Sequence, residues 1–132
     1  MNYEFKNVCL NKKTVDITVC DGVISSILKV DGTASQVIIP LPIDPHVHLD
    51  KTFTASRCSA MQTGLFGAIE AMRCDLPNWS ETDLRARMGK ALQEAFKNGF
   101  TALRSHVDWW NPDPGLAWSV LGELAQEWSE KI

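Results

Sequence analysis

His46-Val47-His48-Leu49-Asp50 is the most informative stretch of this chain. It follows Val37-Ile38-Ile39, an apolar run typical of a β-strand, and the turn-prone Pro40-Leu41-Pro42. Alternate side chains of an extended backbone share a face, so His46 and His48 should project together, about 6–7 Å apart along the strand. Two neutral imidazoles directed at one point can bind a transition metal and leave positions for water. The sequence therefore predicts a metal-activated water at the end of a buried β-strand, with Asp50 in the same phase.

The alternative is that His46 and His48 are surface histidines without a function. A His-X-His pair also arises by chance, although the chain has only three histidines in 132 residues. From the residues alone, both interpretations stay open.

Composition limits the class of protein. A chain of 132 residues with 45% hydrophobic content can form a domain with a real core. A net charge of −3, without a lysine- or arginine-rich block, argues against nucleic-acid binding. The N-terminal residues do not resemble a signal peptide and no apolar run has the length of a membrane span, so we expect a cytoplasmic protein without a membrane partner.

The first forty residues predict short β-strands. Residues 15–19 alternate with a period of two, Asp21-Gly22 is a pair favoured in two-residue hairpin turns, and Val23-Ile24 begins the return strand. We expect a small antiparallel β-unit here.

The periodicity becomes helical after the histidine motif. Leu65, Phe66, Ile69 and Met72 predict one helix that ends before Pro77. Ser80, with Asp83 three residues later, predicts the start of a second helix. Its apolar face comprises Leu84, Met88, Ala91, Leu92, Ala95 and Phe96, and Gly99 suits its C-terminal end.

Residues 101–108 predict another strand, and Asp113-Pro114 predicts the start of a last helix. The apolar stripe of that helix comprises Leu116, Val120, Leu121, Leu124 and Trp128. Strands separated by helical crossovers form a parallel sheet. Two such units leave the second strand with an exposed edge, so the sequence predicts an α/β fold that is incomplete in this chain.

Three ordered motifs resemble the amidohydrolase superfamily, and within it most closely the cytosine deaminase branch. Residues 39–50 (IPLPIDPHVHLD) are similar to its metal-binding segment, and residues 63–70 (TGLFGAIE) to the helix after the first barrel strand. Residues 98–108 (NGFTALRSHVD) are similar to its second strand. Lys51, directly after the first motif, is also similar to isopropylammelide amidohydrolase.

The resemblance implies a (β/α)₈ TIM barrel preceded by strands of a small β-sandwich. Residues 1–40 would be the sandwich strands, and residues 41–132 the first two βα units of a truncated barrel. Such a barrel needs about 250 residues, so the chain resembles the N-terminal portion of a longer enzyme.

The resemblance also implies the chemistry, which is hydrolysis of a C–N bond in a cyclic amidine such as cytosine, another pyrimidine or a triazine. One divalent metal, zinc or iron, would activate the attacking water. His46 and His48 match the first-strand metal ligands. No catalytic residue is identified in this chain, because the other ligands and the proton shuttle would come from later strands. A homo-oligomer is left open.

Five further residues are candidates for substrate contact or for a position behind the ligands, and each has a structural alternative. Asp50 could instead cap the loop after the strand, and Lys51 could be solvated or salt-bridged. His106 and Asp108, on one strand face with Arg104, could form a structural hydrogen-bond network. Leu65 matches a pocket-lining position but could be an ordinary core residue. Trp109-Trp110 departs from the branch, which has smaller residues there.

A second function also stays open. The 132-residue chain could be a catalytically dead remnant that binds metal weakly or associates with another chain. Two histidines without further ligands should hold a metal loosely. On either interpretation we expect the chain alone to be inactive and to expose apolar surface that promotes association.

Overall fold

The computed structural model describes residues 1–58, 64–109 and 115–132. The chain divides into two compact units, Met1–Pro40 and Leu41–Ile132. The fold is mixed α/β. Among the described residues, no helix is both long enough and apolar enough to cross a membrane.

The first unit is a four-stranded sheet. It comprises β1 (Asn2–Leu10), β2 (Lys13–Cys20), β3 (Val23–Lys29) and β4 (Gln36–Val37), in the order β3-β2-β1-β4. The β2–β3 hairpin is confirmed, and its turn residues Asp21 and Gly22 both have positive φ angles, as a tight hairpin turn requires. The expectation of a purely antiparallel unit was wrong, because β4 pairs with β1 in parallel. Val8, Val15 and Ile17 form the buried core of this sheet.

The prediction for Val37-Ile38-Ile39 also needs correction. Only Val37 lies in a strand, β4, which belongs to the first unit. The histidine motif begins within a different strand, β5 (Ile43–Val47), whose residues are exposed or half-buried. Prolines lack an N–H donor, so Pro40 and Pro42 separate the two strands. The pair therefore does not lie at the end of a buried strand.

The second unit contains the helices. After β5 come a 3₁₀ turn (Leu49–Lys51), α1 (Leu65–Asp75), a second 3₁₀ turn (Leu76–Asn78), α2 (Glu81–Lys97), β6 (Ala102–Ser105) and α3 (Leu116–Trp128). The three predicted helices are confirmed. The Asp113-Pro114 start signal lies outside the described residues. The predicted strand 101–108 is shorter than expected and ends at Ser105.

The start and end of α2 follow the sequence signals. Ser80 Oγ accepts a hydrogen bond from the Asp83 N–H at 3.2 Å, so the predicted N-cap is confirmed. Gly99 follows the helix with a φ of +81°, a conformation that glycine adopts without strain.

Packing of α2 against α3 and the 3₁₀ turn after β5 forms the core of the second unit. The buried members are Leu49, Leu84, Met88, Leu92, Ala117, Val120 and Leu124. Two members of the predicted apolar faces are exposed in this chain: Phe96 is 48% exposed and Leu116 is 45% exposed. An interior residue needs packing on more than one side. Among the described residues, β6 pairs only with β5, so this sheet gives the helices few neighbours to pack against.

Candidate metal and substrate site

The pairing of β5 with β6 brings the two polar motifs to the same end of a parallel sheet. The register aligns Ile43 with Ala102 and Val47 with Ser105. The N–H of His106 donates to the Val47 carbonyl at 2.7 Å, so the pairing extends one residue past β6. Parallel strands end at a common edge, and the side chains that follow them therefore meet.

The three histidines of the chain form one cluster at this edge. His46 Nε2 lies 3.4 Å from His48 Nε2. The ring of His106 stacks on that of His46, with a centroid separation of 3.9 Å and an interplanar angle of 22°. The His48 and His106 centroids are 5.6 Å apart. His46 and His48 are thus on the same side of the chain, although His48 itself follows β5 and precedes the 3₁₀ turn.

The separation of the two Nε2 atoms can be compared with what a bound metal requires. Two nitrogens at about 2.0–2.1 Å from a tetrahedral zinc are about 3.3–3.4 Å apart. His46 Nε2 and His48 Nε2 are separated by 3.4 Å. The two imidazoles therefore fit the requirement for adjacent ligands of one metal ion.

Two carboxylates approach the other nitrogen of His48. Its Nδ1 lies 3.5 Å from Asp108 Oδ1 and 3.8 Å from Asp50 Oδ1. Asp50 is fully buried, and its Oδ2 accepts from the Asp108 N–H at 3.3 Å. Lys51 Nζ contacts Asp108 Oδ2 at 2.6 Å. Metal-binding histidines usually have such a carboxylate behind them, because it fixes the ring orientation and tautomer.

Burial shifts the pKa values of His48 and Asp50. Burial, with the Lys51 charge in addition, lowers the pKa of His48, which favours the neutral imidazole. A neutral imidazole has a free nitrogen lone pair for a metal. Burial also raises the pKa of Asp50. The positive charge of Lys51 partly compensates the carboxylates.

The structure brings together six of the seven predicted site residues, namely His46, His48, Asp50, Lys51, His106 and Asp108. Leu65 is not among them. It begins α1 and is 72% exposed, which also excludes an ordinary core position within this chain. Trp109 is 50% exposed, and Trp110 lies outside the described residues.

The described residues do not supply a full set of metal ligands. Among residues 1–58, 64–109 and 115–132, no group of three or more histidine, cysteine, aspartate or glutamate side chains could hold a metal ion. Two histidines alone leave at least two positions of a tetrahedral metal without a protein ligand.

Arg87 lies behind this site and was not among the residues predicted from the sequence. Its Nη1 donates to the carbonyls of Asp50 at 2.5 Å and Thr52 at 3.0 Å. One signal was present, because Arg87 interrupts the apolar stripe between Leu84 and Ala91. A charge at such a position is buried and needs specific partners. The sequence could not name those partners, since they lie 35 and 37 residues away.

No family model matches the chain. A pterin deaminase of Rhizobium rhizogenes is 34% identical over 128 residues, which represent 89% of this chain and 29% of the relative. The pterin deaminase match supports the resemblance to amidohydrolase-superfamily deaminases drawn from the three motifs.

Two solved structures match all of this chain. They are 5-methylcytosine deaminase from Klebsiella pneumoniae liganded with phosphonocytosine (TM-score 0.74) and with 5-fluorocytosine (TM-score 0.77), each 23% identical to it. This chain covers 35% and 34% of those chains, respectively. At this identity the match shows the fold alone. The chain thus spans about a third of the length of the proteins it matches.

Proposed function

We propose that this chain is the N-terminal part of a metal-dependent deaminase that hydrolyses a C–N bond of a small cyclic amidine. The single observation that supports it most is the 3.4 Å approach of His46 Nε2 to His48 Nε2 at the common end of two parallel strands. The pterin deaminase relative supports the reaction class. In this proposal, residues 1–40 are strands of a small β-sandwich and residues 41–132 are the first two βα units of a TIM barrel.

In the proposed reaction, His46 and His48 would be two of the ligands of a divalent zinc or iron ion. When bound, that ion would act as a Lewis acid and make water nucleophilic near neutral pH. The Asp50 and Asp108 carboxylates lie 3.8 and 3.5 Å from His48 Nδ1, where their negative charge favours a proton on Nδ1 and leaves Nε2 available. Lys51 holds Asp108 in place by the 2.6 Å ion pair, and its remaining N–H donors can reach an acceptor atom on the substrate.

The substrate class follows from the relatives. One relative is a pterin deaminase and the structural matches are 5-methylcytosine deaminases, so we propose an amino-substituted pyrimidine, alone or within a pterin. A triazine is a third member of this class. We expect Leu65 to line the pocket only when later parts of a barrel cover α1, because it is 72% exposed here.

A first experiment measures metal binding by the 132-residue chain, titrated with Co²⁺ and followed by visible absorption. His46→Asn and His48→Asn should each weaken binding by about tenfold or more, because ligand number sets affinity. Cys74→Ser is the matched control, since Cys74 is an exposed thiol that could bind cobalt independently. Loss of the signal in the control alone would contradict the histidine site.

A second experiment measures ammonia release from cytosine, 5-methylcytosine and pterin. We expect none from the 132-residue chain and turnover from the product of the full open reading frame loaded with zinc or iron. Inactivity of that longer product toward every cyclic amidine would contradict the proposal. Turnover by the 132-residue chain would show that further ligands are not needed.

One observation favours the second candidate, a catalytically dead remnant. The described residues contain no group of three metal ligands. If the reading frame ends after codon 132 and the chain releases no ammonia, the remnant is the better interpretation.

A further inference from the structure

Arg87 is a buried charge that the proposed reaction does not use. It lies in the second turn of α2, and its side chain is only 8% exposed. Nη1 donates to two backbone carbonyls of the segment after β5, those of Asp50 at 2.5 Å and Thr52 at 3.0 Å. Hydrogen bonds from a charged donor to buried acceptors contribute more to stability than neutral ones. Arg87 therefore joins α2 firmly to the segment that contains Asp50 and Lys51.

The orientation of the Arg87 guanidinium is itself fixed from the opposite side. Its Nε donates to Asp83 Oδ2 at 2.9 Å, and its Cζ lies 5.0 Å from the centre of the Trp79 ring. Asp83 also accepts two hydrogen bonds from Arg57, at 2.6 and 3.0 Å. Arg57 donates in turn to Asp75 at 2.9 Å. A planar guanidinium held on two edges has little freedom to move.

The residue that Arg87 holds by its carbonyl also faces the histidines. The Asp50 carboxylate lies 3.8 Å from His48 Nδ1 and accepts from the Asp108 N–H. A shift of the Asp50 backbone would displace both contacts, because a carboxylate has only two side-chain torsions to compensate. Arg87 thus holds the backbone of the residue whose carboxylate lies beside His48 Nδ1.

We propose that Arg87 is a positioning residue for the metal site, acting through the Asp50 backbone. The inference rests on the proposed function for its metal, although the geometry it describes exists without one. A lysine at position 87 should retain only part of the positioning effect. A single ammonium lacks the planar guanidinium that donates to Asp83 and to two carbonyls at once.

The experiment compares Arg87→Met, Arg87→Lys and Arg85→Met in the 132-residue chain. Arg85 is a matched control on the same helix, because it is more exposed and forms ion pairs with Glu123 and Glu127 of α3. The first readout is the Co²⁺ dissociation constant. Arg87→Met should raise it about 10–100-fold, the usual effect of removing a group behind the ligands. Arg87→Lys should lie between Arg87→Met and wild type, and Arg85→Met should stay within about twofold of wild type.

The second readout is amide hydrogen exchange in the metal-free chain. The N–H groups of Lys51 and Thr52 donate to the His48 and Leu49 carbonyls, and that of Asp108 donates to Asp50. These three amides should exchange about tenfold faster in Arg87→Met, and at the wild-type rate in Arg85→Met. If the wild-type 132-residue chain binds no Co²⁺, hydrogen exchange alone decides whether Arg87 positions the segment, and ammonia release by the longer product decides the proposed function separately.

Three results would overturn the inference. The first is Arg87→Met with wild-type affinity and exchange rates. The second is Arg85→Met with losses as large as those of Arg87→Met, which would indicate general destabilisation. The third result applies if Arg87→Met fails to fold. In that case, an Arg87→Lys variant that matches wild type in both readouts would show that the planar guanidinium is not required.

Discussion

The helix α2 has two arginines, two residues apart, in opposite environments. Arg85 is 39% exposed and contacts Glu123 and Glu127 of α3 through its side chain alone. Arg87 is 8% exposed and contacts Asp83 and the backbone carbonyls of Asp50 and Thr52. Both are arginines on one helix and both are paired, yet only one of them can stabilise a site.

Solvent explains the difference. Water screens the charge pairs of Arg85, and holding long side chains in one geometry costs entropy. Arg87 interacts in a medium of low polarity, where a charge is strongly destabilising if its partners are removed. An ion pair by itself therefore says little about how much an arginine contributes to stability. Its burial and its hydrogen bonds to backbone carbonyls say much more. Four predictions test this contrast.

The largest effect is expected at Asp83, which accepts from both Arg57 and Arg87. Asp83→Asn should lower the free energy of unfolding by about 3 kcal/mol, because it leaves a buried guanidinium without its counter-charge. Urea unfolding followed by tryptophan fluorescence measures this for the second unit, since all five tryptophans lie at positions 79–128. Glu123→Gln is the control on the Arg85 side and should change the value by less than about 0.5 kcal/mol. Equal losses of unfolding free energy in the two variants would mean that the buried and the exposed arginine contribute equally to stability.

A second prediction concerns pH. Hydrogen bonds from Arg57, and then from Arg87, lower the pKa of Asp83 to about 2 from 3.8. A carboxylate with a lowered pKa stabilises the folded state above its unfolded pKa, and this stability is lost as the pH falls through its folded pKa. Wild type should therefore lose about 2 kcal/mol between about pH 4 and pH 2 through this group.

The wild type minus Asp83→Asn difference in unfolding free energy isolates this contribution, because all other carboxylates titrate in both proteins. We expect the difference to shrink as the pH falls through this range. A difference that stays constant from pH 5 to pH 2 would mean that the arginine partners do not lower the pKa of Asp83 in the folded state.

The third prediction separates the helix cap from the carboxylate beside it. Ser80→Ala removes the hydrogen bond to the Asp83 N–H but leaves the Asp83 side chain with its arginines. The loss should be about 1 kcal/mol, the usual value for an N-cap. Ser80→Asp, which can also cap, is the control and should retain most of the stability. A loss close to that of Asp83→Asn would mean that the cap and the ion cluster act as one unit.

The smallest effect is expected on the exposed side. Arg85→Met should change the unfolding free energy by less than about 0.5 kcal/mol in the same urea assay. Repeating the measurement at high salt tests the reason, because screening should leave wild type and variant equal. A loss of 2 kcal/mol or more would show that exposed and buried arginines of α2 are equivalent, contrary to the comparison.

Much of the fold could be predicted from local sequence. The Asp21-Gly22 turn, the Ser80 cap and the Gly99 helix end depend on backbone chemistry within a few residues, and each is present. Predictions that depended on distant partners were less accurate. Val37-Ile38-Ile39 was predicted to be the strand that leads to the histidine motif, but only Val37 lies in a strand, and that strand pairs with β1. The apolar run does not reveal which neighbour it joins.

The candidate site divides in the same way. Its residue types and their spacing could be predicted, since His46 and His48 need only an extended backbone to lie on one side. The stack of His106 on His46 and the contact of Lys51 with Asp108 could not, because they depend on the β5–β6 register.

The sequence by itself determined where strands and helices begin and which end of the sheet would be polar, because these depend on short-range backbone preferences and side-chain alternation. Only the tertiary structure decided that Arg87, far along the chain from Asp50, would hold its backbone carbonyl. Hydrogen bonds between segments 37 residues apart depend on how the whole unit packs, and no local pattern specifies that packing.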